Sequence, residues 1–308
     1  MQVLYPPKPL FRLGQLAAHV VVALITLVVI GGATRVMEAG LACPDWPLCY
    51  GSLLPGRQMN LQVFLEWFHR LDAFFVGIVL ITQFALSLFW AKFLPKWLPW
   101  TYGFLTLLIA FQGFLGALTV SQLLPSLVVV AHLAVAFTLV AIMSGVTQKL
   151  LSPGQSILPP WLRSLGFLSL FSVIGQSLLG SRVATSWAAH RCLDFGDSCN
   201  LLVIHRISAI PVSLLVISFV IISLAQRDLF LSQWPYFLTI TFLIVLQIFL
   251  GIFSVQLGLS EPALVIGHQL VACLLVAVIS ALIFKGRGIK RSSQSIFITE
   301  STLETCHG

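Results

Sequence analysis

The chain has 308 residues, 58% of them hydrophobic and only 9% charged, with a mean hydropathy of +1.00. Soluble domains carry about 25% charged residues, so this chain has too little polar surface to wrap a water-soluble core and reads as a polytopic membrane protein. Its net charge of +7 then reports which loops face the cytoplasm, not a nucleic-acid partner.

A helical crossing needs roughly 20 mostly apolar residues. In chain order, eight runs reach that length, at about 14–34, 66–90, 99–119, 126–147, 162–182, 203–225, 235–256 and 263–284. The first is long and has no clear small-residue cleavage site, so it is expected to be an anchor and not a cleaved signal peptide. The polar stretch 286–308 is expected to be a disordered cytoplasmic tail. With both termini inside, eleven of the seventeen basic residues, including all six lysines, fall on the cytoplasmic side. The positive-inside rule favours that orientation. The six left outside are all arginines: Arg35, Arg57, Arg70, Arg182, Arg191 and Arg206.

The second and sixth runs open alike, with FHRLDAFFVG from Phe68 and IHRISAIPVS from Ile204. FQGFLGALTV from Phe111 is echoed by LQIFLGIFSV from Leu246, and VVAHLAVAFTLVAI from Val129 by VIGHQLVACLLVAVI from Val265. His69 precedes His132 by 63 residues, and His205 precedes His268 by the same 63. Four spans per half is an even number, so both halves enter the membrane in the same sense. The expected fold is all-α: two pseudo-symmetric four-helix bundles, 1–150 and 151–285, related by an axis along the membrane normal.

This topology puts His69 and His205 in the first turns of the second and sixth spans, and His132 and His268 one to two turns into the fourth and eighth. One histidine pair then lies in the outer part of each bundle. A lone intramembrane histidine serves equally as a packing residue or in a proton relay; two pairs at equal spacing point to a bound group. Zinc or copper wants further nitrogen, sulfur or carboxylate ligands, whereas haem iron takes two axial imidazoles between apolar walls. Two haem-sized sites are therefore expected. Arg70 and Arg206 follow their histidines directly and suit propionates, with interfacial snorkelling as the plain alternative.

The halves are unequal. Glu66 stands three residues before His69, on the same helix face, and Leu202 takes its place in the second half. An acid at one site only suggests chemistry there and a resting cofactor at the other; the alternative is a carboxylate set against a helix dipole. Four outer cysteines form two close pairs, Cys43 with Cys49 and Cys192 with Cys199, which suit disulfides in an oxidising compartment. They would either staple loops or exchange electrons; their spacings do not suit zinc.

GGATRVMEAGLACPDWPLCYGSLLP, from Gly31 to Pro55, followed by EWFHR, resembles the haem A synthase family, and the resemblance runs through essentially the whole chain. It implies oxidation of the C8 methyl group of haem O to a formyl group by successive hydroxylations, giving haem A for cytochrome c oxidase. It also implies that His205 and His268 ligate a resident haem b, and that His69 and His132 flank the substrate haem O with Glu66 near the reacting side. Cys43 and Cys49 match the family's first-loop pair, in a redox or structural role. Haem O synthase is the implied upstream partner, beside membrane lipid; the electron donor is not identified, and a homo-oligomer is compatible with the sequence. An outer face with disulfides suits a bacterial plasma (inner) membrane. Two other classes share the histidine pairs: a two-haem cytochrome drawing on quinol, and a non-catalytic haem carrier.

Overall fold

A computed structural model describes residues 8–153, 157–185, 200–258 and 260–286. Among these, eight long helices follow one another: α1 Lys8–Val36, α2 Leu61–Phe89, α3 Trp97–Ser121, α4 Ser126–Leu151, α5 Pro160–Thr185, α6 Asn200–Leu224, α7 Arg227–Gln256 and α8 Pro262–Phe284. All eight are long and apolar enough to cross a membrane, as the eight apolar runs predict, and every named element is helical. The second cysteine pair, Cys192 and Cys199, and the tail beyond Gly286 lie outside the described residues.

Local chemistry sets the helix starts. Asn60 caps α2 by accepting a hydrogen bond from the Val63 N–H at 2.9 Å. That cap starts α2 five residues earlier than apolarity alone suggests, so Glu66 sits in the second turn and His69 beyond it. A dipole role for Glu66, which fades after the first turn, is thereby weakened. Pro262 begins α8, where its missing N–H costs nothing. Between α3 and α4 the chain turns through Leu123 and Leu124, both with positive φ (57° and 61°). Leu124 lies over Gly40 of the first loop, which seats that turn beneath it.

Neighbour relations close into two rings. In the first, α1 packs on α2, α2 on α3, α3 on α4 and α4 on α1; in the second, α5, α6, α7 and α8 repeat that cycle. The rings meet where α8 packs on α1 and α4, and α4 on α5. More than half of the apolar window of α8 is buried inside the protein (56%), against at most 33% for any other helix, so α8 is the central strut.

Lipid tails offer no hydrophobic drive between helices, so packing relies on close approach and internal polar bonds. Gly145 on α4 accepts the Phe284 ring and Gly166 on α5 accepts Ile283. Ser280 donates to the Ala141 carbonyl at 2.6 Å, and Gln269 to the Val28 carbonyl at 3.0 Å. At the opposite end from the histidines, the α4–α5 connection is tied to the end of α8 through Gly286 N–H to Ser152 and Ile157 N–H to Lys285.

Candidate functional site: paired imidazoles and a clamped loop

Each of the four sequence-predicted histidines sits six to nine residues into an even-numbered helix, against the odd-numbered helix before it. A methyl group built on Gly31 of α1 would stand 3.1 Å from His69 Cε1, and one on Gly116 of α3 would stand 3.4 Å from His132. Gly180 of α5 and Gly251 of α7 repeat this at 2.8 and 3.0 Å from His205 and His268. Each imidazole thus turns its Cε1 toward a neighbouring helix backbone, where a side chain would crowd the ring at Gly31, Gly180 and Gly251 and just touch it at Gly116. That recurrence was readable in part: Gly116 and Gly251 occur in the repeated segments, but helix crossings were needed to give them meaning.

His69 and His132 thus belong to the first ring of helices, and His205 and His268 to the second, each packed on the helix before it. The Nδ1 atoms of His69, His132 and His268 are buried without a hydrogen-bond partner, an arrangement that costs free energy unless something else engages the ring. Among the described residues no cluster of three or more His, Cys, Asp or Glu suits a metal ion. Among the described residues each ring of helices thus offers two imidazoles, which is the donor set that two axial haem ligands require.

Over the first pair lies the loop between α1 and α2. Cys43 and Cys49 are joined in a disulfide, with Cα atoms 4.8 Å apart. Glu66 is buried and accepts a hydrogen bond from the Cys43 N–H at 2.8 Å, while its other oxygen pairs with Arg70. Arg70 also donates to the main-chain carbonyls of Asp45, Leu48 and Cys43. Trp67 completes the hold by donating to the Leu53 carbonyl at 2.6 Å. Three residues of one α2 face therefore clamp the disulfide loop. The sequence suggested Arg70 for a propionate; here four of its N–H groups serve the loop and Glu66. Arg206, its counterpart, is exposed.

Asp45 stabilises the loop turn by accepting from the N–H groups of Tyr50 (2.7 Å) and Gly51 (2.8 Å), both with positive φ. The Gly51 N–H, with those of Tyr50 and Asp45 itself and the nearby Arg70 charge, holds this carboxyl below its usual range against a smaller opposing effect of burial. A carboxyl whose folded value is depressed stabilises the loop above about pH 4, the unfolded carboxyl value, and ceases to do so as pH falls through the lower folded value. Asp45→Asn is expected to lower the protection of the Tyr50 and Gly51 amides against hydrogen exchange at neutral pH, and acidification of the unaltered protein to lower it too, once rates are referred to the slower intrinsic exchange at acid pH. Unchanged exchange in the variant would show that the carboxylate is not what holds the turn.

One residue escaped the sequence reading. Asp72 lies one turn past His69, and its Oδ2 is buried with no partner. An acid inside an apolar span is itself a signal of function, and it stands in plain view in FHRLDAFF.

A profile of the family described as cytochrome oxidase assembly protein (COX15-CtaA) matches residues 15–280. The chain is similar to Heme A synthase of Shewanella oneidensis, 32% identical over 189 residues, covering 54% of this chain and 56% of that protein. It is also similar to Heme A synthase of Allorhizobium ampelinum, 29% identical over 238 residues, covering 64% and 61%. A 73-residue stretch is 34% identical to Protoheme IX farnesyltransferase of Haloarcula marismortui, covering 24% of this chain and 15% of that protein. The aligned regions thus span about half the length of the curated relatives. Since the family match runs through all eight helices, the chain belongs to the cytochrome oxidase assembly protein family.

Proposed function

We propose that this multi-pass membrane protein is a haem A synthase, converting the C8 methyl group of haem O to a formyl group. The observation that carries the reading is that each ring of helices holds two histidines packed on glycines of the preceding helix, His69 and His132 in the first and His205 and His268 in the second, in a chain similar to proteins named Heme A synthase. Each half, 1–150 and 151–285, is read as one bundle with one haem-sized site. Counted with water as the oxygen donor, methyl to formyl is a four-electron oxidation, RCH3 and H2O giving RCHO, four protons and four electrons, and the electrons must pass to an external acceptor. Haem b, held by His205 and His268, would supply one-electron transfer when bound.

The remaining work belongs to the chain's own side chains. His69 and His132 hold and orient substrate haem O between apolar helices through which its farnesyl tail can enter from lipid. Glu66 and Arg70, with the Cys43–Cys49 loop they clamp, roof the first site, restrict water and place a carboxylate where protons leave the methyl carbon. Arg206 is assigned to a haem b propionate. In this reading the roofed side faces outward across a bacterial plasma membrane, with both termini cytoplasmic, in keeping with the lysine distribution. The short likeness to a protoheme farnesyltransferase favours haem O synthase as the upstream partner.

Expression in a host that makes haem O but no haem A decides the matter. Pigment extraction and mass spectrometry are expected to show hydroxylated and formylated haem. Bound haem O left unaltered would make the protein a carrier, and quinol-reducible haems with no new pigment would make it a two-haem cytochrome.

A further inference from the structure

A groove of about 570 Å³ opens at the seam between the two rings of helices, on the side away from the histidines. In the first ring, α3 from Trp97 and α4 from Thr138 to Lys149 form one wall; in the second, α5 with Phe167 and α8 with Phe284 form the other. Its size falls among those of ligand sites. The walls are apolar in effect, because the hydroxyls of Thr101, Thr138 and Ser280 donate to the main-chain carbonyls of Trp97, Ala134 and Ala141.

Depth and charge both describe the occupant. Thr138 and Lys149 both line the groove, eleven residues apart on α4, which is about 16 Å of helix and so about half of the roughly 30 Å hydrocarbon core. The groove is one leaflet deep. Exposed Trp97, Trp100 and Trp161 stand at the same end, at the starts of α3 and α5, as indoles do at a membrane interface. Two cations stand there as well. Lys149 lines the groove, and the Arg163 guanidinium lies over two of its rings, 5.8 Å from the Phe167 centroid and 5.7 Å from that of Phe284. Stacking engages the faces of a guanidinium and leaves its edge donors for a planar acceptor; the Arg163 Nε is buried with no hydrogen-bond partner. No Asp or Glu occurs on α3, α4, α5 or α8, so no wall of the groove supplies a counter-charge.

We propose that this groove binds an anionic phospholipid of the leaflet away from the histidines. One acyl chain fills the groove between α4 and α5, and the phosphate accepts from Arg163 and pairs with Lys149. Basic pockets between membrane helices seat anionic headgroups, and guanidinium matches phosphate in a two-pronged bond. A neutral lipid would leave both cations and the Arg163 Nε unanswered, and a free anion would leave the apolar length unfilled. Because one wall belongs to each ring, the bound lipid stabilises the docking of the two halves. It requires nothing of the haem sites.

Native mass spectrometry of the purified full-length chain is expected to show a tightly retained anionic phospholipid. Once detergent has stripped it, dioleoyl phosphatidylglycerol is expected to rebind and raise the thermal midpoint, and dioleoyl phosphatidylcholine to do neither at the same concentration. Lys149→Gln with Arg163→Gln is expected to weaken phosphatidylglycerol binding by about 30-fold, the loss of two interfacial cations. Thr138→Phe blocks the deep end. It is expected to weaken binding of the dioleoyl lipid and to spare the didecanoyl lipid, whose chains stop short, which separates a filled groove from charge alone. Should Thr138→Phe fail to fold, the charge variant and the two headgroups decide. Equal binding of the two headgroups, competition by glycerol phosphate, or wild-type affinity in the charge variant overturns the proposal. So does a lipid-free assembly of two copies that Thr138→Phe disrupts.

Discussion

The His205→Ala variant is expected to lose the b-type haem proposed for the second ring, with retention falling by about 100-fold or more, beyond the loss expected from a ligand's outer partner alone, while all eight helices persist. On the proposed assignment the haem would be left with one of its two imidazoles, and among the described residues no group of three or more His, Cys, Asp or Glu stands elsewhere. The fold should tolerate the change, because the His205 side chain lies at the ring interior and is only partly buried, outside the apolar core built on Phe219, Val216 and α8. Pigment content per chain, with circular dichroism on the same sample, measures both halves of this expectation. A full complement of b-type haem in the variant would assign that haem to other residues.

Arg70→Leu should produce the largest loss of stability of any single change in the loop region. Arg70 and Glu66 are 13% and 6% exposed, and they pair directly. Removing one partner of a buried pair strands the other and costs about 3–5 kcal/mol; here the carbonyls of Cys43, Asp45 and Leu48 lose their donor as well. The expected signature is a lower thermal midpoint in detergent together with fast exchange confined to the first loop. Glu66→Gln is the informative companion. It keeps an acceptor for the Cys43 N–H and perturbs the loop less, yet it removes the carboxylate, so conversion of haem O to haem A is expected to fall by about 100-fold. If Glu66→Gln converts haem O at the wild-type rate, the acid is a clamp and nothing more.

Eight crossings were legible because a run of apolar residues states its own length, and the two histidine pairs were legible because duplication repeats spacing. The roles of Glu66 and Arg70 were not. Their partners are main-chain groups 22 to 27 residues earlier in a loop, and no local pattern announces which carbonyl a guanidinium will meet. The start of α2 was misplaced for a related reason. Hydropathy averages over side chains, whereas the helix begins where Asn60 can accept from Val63. Glycines opposite histidines carry meaning only once the helices cross, so nothing in the sequence marks Gly180, or Gly31 at the head of the GGATR stretch, as the seat of an imidazole. Asp72 was a different failure: the signal was local and visible, and the His-Arg pair beside it drew the attention.

The bond from Gln269 to the Val28 carbonyl bears on how such a chain can evolve. Gln269 directly follows His268, and the residue in the same place after His132 is Leu133. Its counterpart helix surface is shaped to match, since a methyl group on Gly32 would stand 2.5 Å from the Gln269 amide. Ser181 follows Gly180 where Gly32 follows Gly31, so the donor glutamine and its socket, the bare glycine it packs on, each stand on one half only. Two ancestral copies could have met as equals, but these descendants cannot trade places: a pair of first halves would lack the donor, and a pair of second halves would lack the socket. The junction has acquired a direction, and fusion into one chain has become a commitment that neither half can undo alone.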